Sequence, residues 1–137
     1  MAVTQKGVNV LASIVPYHSY MFDEYIGFGY KGETPRDLVT LNELASGISV
    51  HKAEQILKLQ LNHIENSLSQ QMSFFSSLDD VTKFAVTAIA FTHSINYVLS
   101  NKVFLMHLEK GCHSQAASAL QNCHIKLILI LKTGKIR

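Results

Sequence analysis

Apolar residues along most of the chain recur three and four positions apart, and in one stretch near the amino end they do not. Val8, Leu11, Ile14 and Val15 form one such stripe, opened by Thr4 as a cap. Pro16 disfavours helix at Val15 and ends it. A long helix follows from Ser49, with Val50, Ala53, Leu57, Ile64 and Leu68 on one face and Ile56 and Leu61 widening it. Ser77-Leu-Asp-Asp80 reads as a capping box for a strongly apolar helix through Val81, Phe84, Ala85, Ala88, Ile89, Phe91, Ile95 and Val98. Apolar residues there cover more than one face, which predicts the centre of a helical lobe. Asn101 caps a shorter helix through Phe104 and Leu108, which Gly111 stops; Gln115 to Leu120 makes another. The last runs from His124 to Lys132 and stops at Gly134. Residues 17–45 break the rhythm. They hold Tyr17, Tyr20, Phe22, Tyr25, Phe28 and Tyr30, three glycines and Pro35, a composition that suits a small irregular β lobe.

Composition narrows the class. A chain of 137 residues with 47% hydrophobic and 16% charged residues is one domain with a buried core, not a disordered segment. The net charge of +2 is too small to argue for nucleic acid. Lys126, Lys132, Lys135 and Arg137 gather at the carboxyl end, either as a solvated tail or as an attraction for an anionic wall or partner. No apolar run at the amino terminus reads as a signal peptide, and the run from Leu127 to Leu131 is too short to span a bilayer. The expectation is a protein cytoplasmic at synthesis, with no transmembrane segment.

Two cysteines, Cys112 and Cys123, each precede a histidine. Zinc binding is a weak reading, because neighbouring residues on a helix diverge by about 100° and do not converge on one ion. Two reduced thiols are a simpler expectation than zinc or a disulfide between them, with no metal and no cofactor. His93 falls within the apolar helix and is expected as a hydrogen-bonded core histidine; His51 and His63 are expected to be exposed.

From Gly7 the chain reads G-V-N-V-L-A-S-I-V-P-Y-H-S-Y-M-F-D-E-Y-I-G-F-G-Y. This string resembles the amino-terminal signature of phage-type lysozymes, muramidases that cleave the sugar backbone of peptidoglycan. Their signature is a helix ending in an acid, a hairpin and an I-G-x-G turn. Three later segments extend the resemblance: Gly47 to Leu57, Ser77 to Ala85, and Ile125 to Gly134 with its closing Lys-Thr-Gly. The resemblance implies an α+β fold of two lobes, mostly helical. A reduced N-terminal β lobe would occupy about residues 1–47, and a connecting helix and helical lobe about residues 48–137.

The departures fall on the chemistry. The family's general acid corresponds to Val15, which has no proton to give. Its second carboxylate corresponds to Glu24, or to Asp23 with a shift of one residue. Its threonine becomes Tyr25, and the histidine closing its turn becomes Tyr30. Phe91-Thr-His-Ser94 resembles the family's F-N-x-G with two substitutions, and the family's Arg-Trp segment has no counterpart near Asn122.

Glycoside hydrolysis needs one protonated and one ionised carboxyl group flanking the bond. Asp23 and Glu24 are neighbours on what reads as an extended segment, so they point to opposite sides and cannot straddle one bond. Glu33 or Asp37 would have to serve as a relocated acid. The resemblance therefore implies a lysozyme-like protein that has lost hydrolysis and serves as a binding or structural module for a protein partner or for peptidoglycan. Tyr20, Phe22, Tyr25, Phe28 and Tyr30 are the candidate binding residues, or else the small core of the β lobe. The alternative is an active muramidase with a relocated acid.

Overall fold

The computed structural model describes residues 3–32 and 35–136, so Glu33 and Arg137 lie outside the described residues. Helix α1 spans Gln5–Ile14, with the Thr4 hydroxyl accepting from the Gly7 amide. Val15 is its extended C-cap, as the proline after it requires. The chain then turns into an antiparallel hairpin, β1 (His18–Phe22) and β2 (Tyr25–Gly27). His18 pairs with Gly27 and Phe22 with Tyr25, which leaves β1 two residues longer between the same partners. That irregularity breaks the simple alternation of faces along β1.

After the hairpin, Gly27-Phe28-Gly29 forms a tight loop closed by reciprocal backbone bonds of 2.9 Å between Ile26 and Tyr30. Gly27 has φ of 66° and lies against Ala53 and Ile48, so a side chain there would be strained and crowded. The loop thus seats the hairpin on the start of α3.

Residues 17–45 hold less β structure than their composition suggests. They also contain part of a helix, α2 (Leu41–Ser46), where the composition predicts an irregular segment. Its start is a full capping box: the Thr40 hydroxyl accepts from the Glu43 amide at 3.1 Å, and the Glu43 carboxylate accepts from the Thr40 amide at 2.9 Å. The Thr40 amide and nearby Lys52 hold the Glu43 carboxyl below its ordinary value.

Helix α3 (Val50–Gln71) is capped by Ser49 as expected and buries Ala53, Ile56, Leu57, Leu61 and Leu68; Val50 is exposed instead. A short 3-10 turn at Phe75–Ser77 precedes α4 (Asp80–Thr92). The cap of α4 is Asp79, not Ser77, because the turn draws the Ser77 hydroxyl onto the Phe74 carbonyl.

Helix α4 is the centre of the core, with Phe84, Ala85, Val86, Thr87, Ala88 and Ile89 fully buried. It packs against α3, α5 and α8. The Thr87 hydroxyl donates to the Lys83 carbonyl at 2.7 Å, which satisfies it inside this apolar surrounding. Helix α1 approaches so closely that a Cβ on Gly7 would stand 2.5 Å from the Phe84 ring.

The apolar period does not run through to Val98 in one helix. The chain breaks at His93, and Ser94 caps a separate α5 (Ile95–Ser100). Helices α6 (Lys102–Glu109), α7 (His113–Ser118) and α8 (Ile125–Thr133) complete the chain. Asn101 caps α6, and Gly134, with φ of 70°, ends α8 as a left-handed cap. The architecture is α+β: mostly helical, with one two-stranded antiparallel sheet among the described residues.

Candidate functional site

The end of α1 and the hairpin enclose a cavity of about 310 Å³. Val15, Pro16, His18, Phe22, Asp23, Tyr25 and Gly29 line it. Pro16 forces the chain out of helical geometry there, and the short loop after β2 brings Gly29 back beside Val15. A Cβ on Gly29 would lie 3.8 Å from Val15 Cγ1 and 4.0 Å from the Phe91 ring. The position that the resemblance assigns to the acid is therefore half-buried among apolar atoms.

The rim is aromatic. His18 and Phe22 lie nearly parallel, with ring centroids 4.7 Å apart. Phe22 is 63% exposed and Tyr25 38%, so both rings offer a face to solvent. The Lys31 ammonium sits 5.1 Å above the centre of the Tyr25 ring, a cation–π contact that orients it.

Asp23 and Glu24 are not on an extended segment. They are the two residues of the β-turn between the strands, with φ of 49° and 75°. Positive φ at both central residues is the turn that matches the twist of a hairpin, a place that favours Asn-Gly or Asp-Gly. Asp23 lines the cavity and Glu24 does not. Asp37 lines a different, smaller cavity of about 130 Å³ with Tyr30, Lys31 and Leu44. Among the described residues, Asp23 is the cavity's single carboxylate.

The five candidate binding aromatics separate into three groups. Phe22 and Tyr25 line the cavity. Tyr20 is exposed but packs over Gly47, 3.1 Å from where a Cβ would stand there. Phe28 and Tyr30 are core residues, 5% and 1% exposed, and present no face to a partner. Phe28 packs on the Tyr17 ring, and the Tyr30 hydroxyl donates to the Pro35 carbonyl while accepting from the Leu38 amide. These two anchor the loop that shapes the cavity. His18 was not singled out in the sequence; its position four residues before Phe22 was the available signal.

His93 is an exposed helix cap stacked on Tyr97 at 4.3 Å, not a core histidine, because α4 ends one residue before it. Cys112 and Cys123 are free, half-buried thiols, and burial raises the Cys123 thiol above its ordinary value. No cluster of three His, Cys, Asp or Glu side chains that could hold a metal occurs among the described residues. No helix among them is long and apolar enough to cross a membrane.

No family model, no curated protein and no solved structure matches the chain. The class that the fold and the cavity define is a mainly helical α+β domain with an aromatic pocket at the hairpin that Asp23 lines.

Proposed function

We propose that this chain is a lysozyme-like binding module of the phage type that holds the glycan of peptidoglycan without cleaving it. The observation that carries the reading is Asp23 as the cavity's single carboxylate among the described residues, with Val15 at the position of the acid. A general acid stays protonated near neutral pH because apolar surroundings raise its pKa. Val15, Gly29 and Phe91 supply such surroundings, but the side chain inside them has nothing to donate. Asp23 alone accepts hydrogen bonds from sugar hydroxyls and does not form the acid–base pair that hydrolysis requires.

The order of elements supports the lysozyme-like reading: a capped helix, a hairpin with an I-G-F-G turn, a long helix, a buried helix and a closing helix ended by Gly134. The rings of Phe22 and Tyr25 favour recognition, since an aromatic face packs on the apolar face of a sugar ring as it does on another ring. Hydrolysis with a relocated acid would need Glu33, outside the described residues, or Asp37, in the other cavity.

Co-sedimentation with purified peptidoglycan sacculi tests the binding. The chain is expected to pellet saturably. Phe22→Ala with Tyr25→Ala should weaken binding about tenfold, from two ring contacts of about 0.7 kcal/mol each, with an unchanged circular dichroism spectrum. No pelleting, together with a stable complex recovered with a host protein and weakened by the same substitutions, would replace the glycan by a protein partner.

A further inference from the structure

Three side chains lining the hairpin cavity carry titratable polar atoms: His18, Asp23 and Tyr25. Asp23 and Tyr25 are exposed, whereas His18 is half-buried. Its ring lies within 13° of parallel to Phe22, with centroids 4.7 Å apart, so one face of the imidazole is covered. Across the hairpin His18 pairs with Gly27, which has no side chain to cover it from β2. The imidazole nitrogens lie in the ring plane, at its edge, so the stack leaves them open. Among the described residues neither nitrogen has a hydrogen-bond partner.

The three groups differ in what they can offer a ligand. A carboxylate such as Asp23 only accepts hydrogen bonds. The Tyr25 hydroxyl donates and accepts, but on an exposed side chain it exchanges water for a ligand at little gain. An imidazole offers at least one N–H in either protonation state. On a half-buried ring that N–H competes less with water, and a bond made there counts for more. A sugar oxygen is a matching acceptor, and a sugar hydroxyl can in turn donate to Asp23.

His93 supplies the contrast. It also stacks, on Tyr97 at 4.3 Å, but it is exposed and does not line this cavity. Stacking alone therefore does not set His18 apart; its place in the cavity wall does.

We propose that His18 binds the ligand directly, donating a hydrogen bond from its ring edge to a sugar oxygen held in the cavity. Phe22, 63% exposed, keeps its other face for a neighbouring unit of the glycan. This role rests on the glycan-binding reading of the site.

Saturation binding of the full chain to purified peptidoglycan sacculi tests it with two variants. His18→Phe keeps a ring to stack on Phe22 and removes both nitrogens. It should bind about fivefold more weakly than wild type, as for one lost hydrogen bond, with an unchanged thermal midpoint. His93→Phe should bind as wild type does. In isotope-labelled protein, the nitrogen resonances of the His18 ring should shift on saturation with solubilised peptidoglycan fragments, and those of His93 should not. Wild-type affinity of His18→Phe would overturn the role of His18 and leave glycan binding in place, because a ring that merely braces Phe22 is replaced by another ring. So would unmoved His18 nitrogens at saturation, or an equal loss in His93→Phe. No pelleting of the wild-type chain would instead remove the glycan reading, and this role with it.

Discussion

Helix α4 and strand β2 both pack on α3, yet they belong to regions built in different ways. Eight of the thirteen residues of α4 are buried, whereas none of the five in β1 is. The helical region is held by close packing. Its centre lies within van der Waals reach of α1, and its polar groups are satisfied locally, as at Thr87. The hairpin region is held by a few anchors: the Tyr17 hydroxyl on the Ile48 carbonyl, the Ile48 amide on the Ser19 carbonyl at 2.8 Å, and buried Ile26 and Tyr30. Tyr20, Met21, Phe22 and Tyr25 face outward. Stability thus concentrates in one region, while the exposed chemistry concentrates in the other, where side chains are not committed to a core.

The largest expected contrast lies between two phenylalanines. Phe84→Ala should cost about 3–5 kcal/mol in denaturant unfolding, because it empties a fully buried site. Phe22→Ala should change stability by no more than about 0.5 kcal/mol, as for an exposed side chain. A comparable cost at both would erase the distinction between the regions. Gly7→Ala sharpens it from the other direction. The added methyl meets the Phe84 ring at 2.5 Å and should cost about 1–3 kcal/mol through overpacking.

Asp79→Ala should cost about 1 kcal/mol by removing the cap of α4. Hydrogen bonds from the Thr82 hydroxyl and amide, with His113 nearby, hold the Asp79 carboxyl below its ordinary 3.8. A depressed folded-state pKa contributes stability above the unfolded value and loses it as pH falls through the folded one. The gap between wild type and variant should therefore be widest near neutral pH and narrow below about pH 4. In the hairpin, Glu24→Gly should stabilise by up to about 1 kcal/mol, since glutamate at φ of 75° is strained where glycine is not.

The same division decided what could be read from the sequence. Helices α1, α3 and α8 follow from their apolar period and from Thr4, Ser49 and Gly134, because packing on one face leaves a period to see. The break at His93 was hidden, since Ile95 and Val98 continue the spacing of α4 across it. Ser94 was the signal for a new cap. Helix α2 was hidden by the aromatic and turn residues before it, although Thr40 and Glu43 spell its capping box.

In the hairpin, periodicity separates no faces, because the strands are only five and three residues long and Phe28 and Tyr30 lie in the loop after β2. That is why Phe28 and Tyr30, buried, read the same as Phe22 and Tyr25, exposed. The turn at Asp23 and Glu24 was equally opaque: Asp23 suits its first central position, but glutamate stands where glycine is usual. Val15 as the end of α1 was legible from the proline after it, and the cavity around it was not.

The release of new reducing ends from purified peptidoglycan, incubated with the pure chain, tests the central reading most directly. If, as proposed, Val15 stands where a proton donor would be needed, and with Asp23 the pocket's lone acid among the described residues, the expected result is binding with no release above a protein-free control. Sustained release that Asp23→Asn abolishes would contradict it, and would place a working acid elsewhere in the chain.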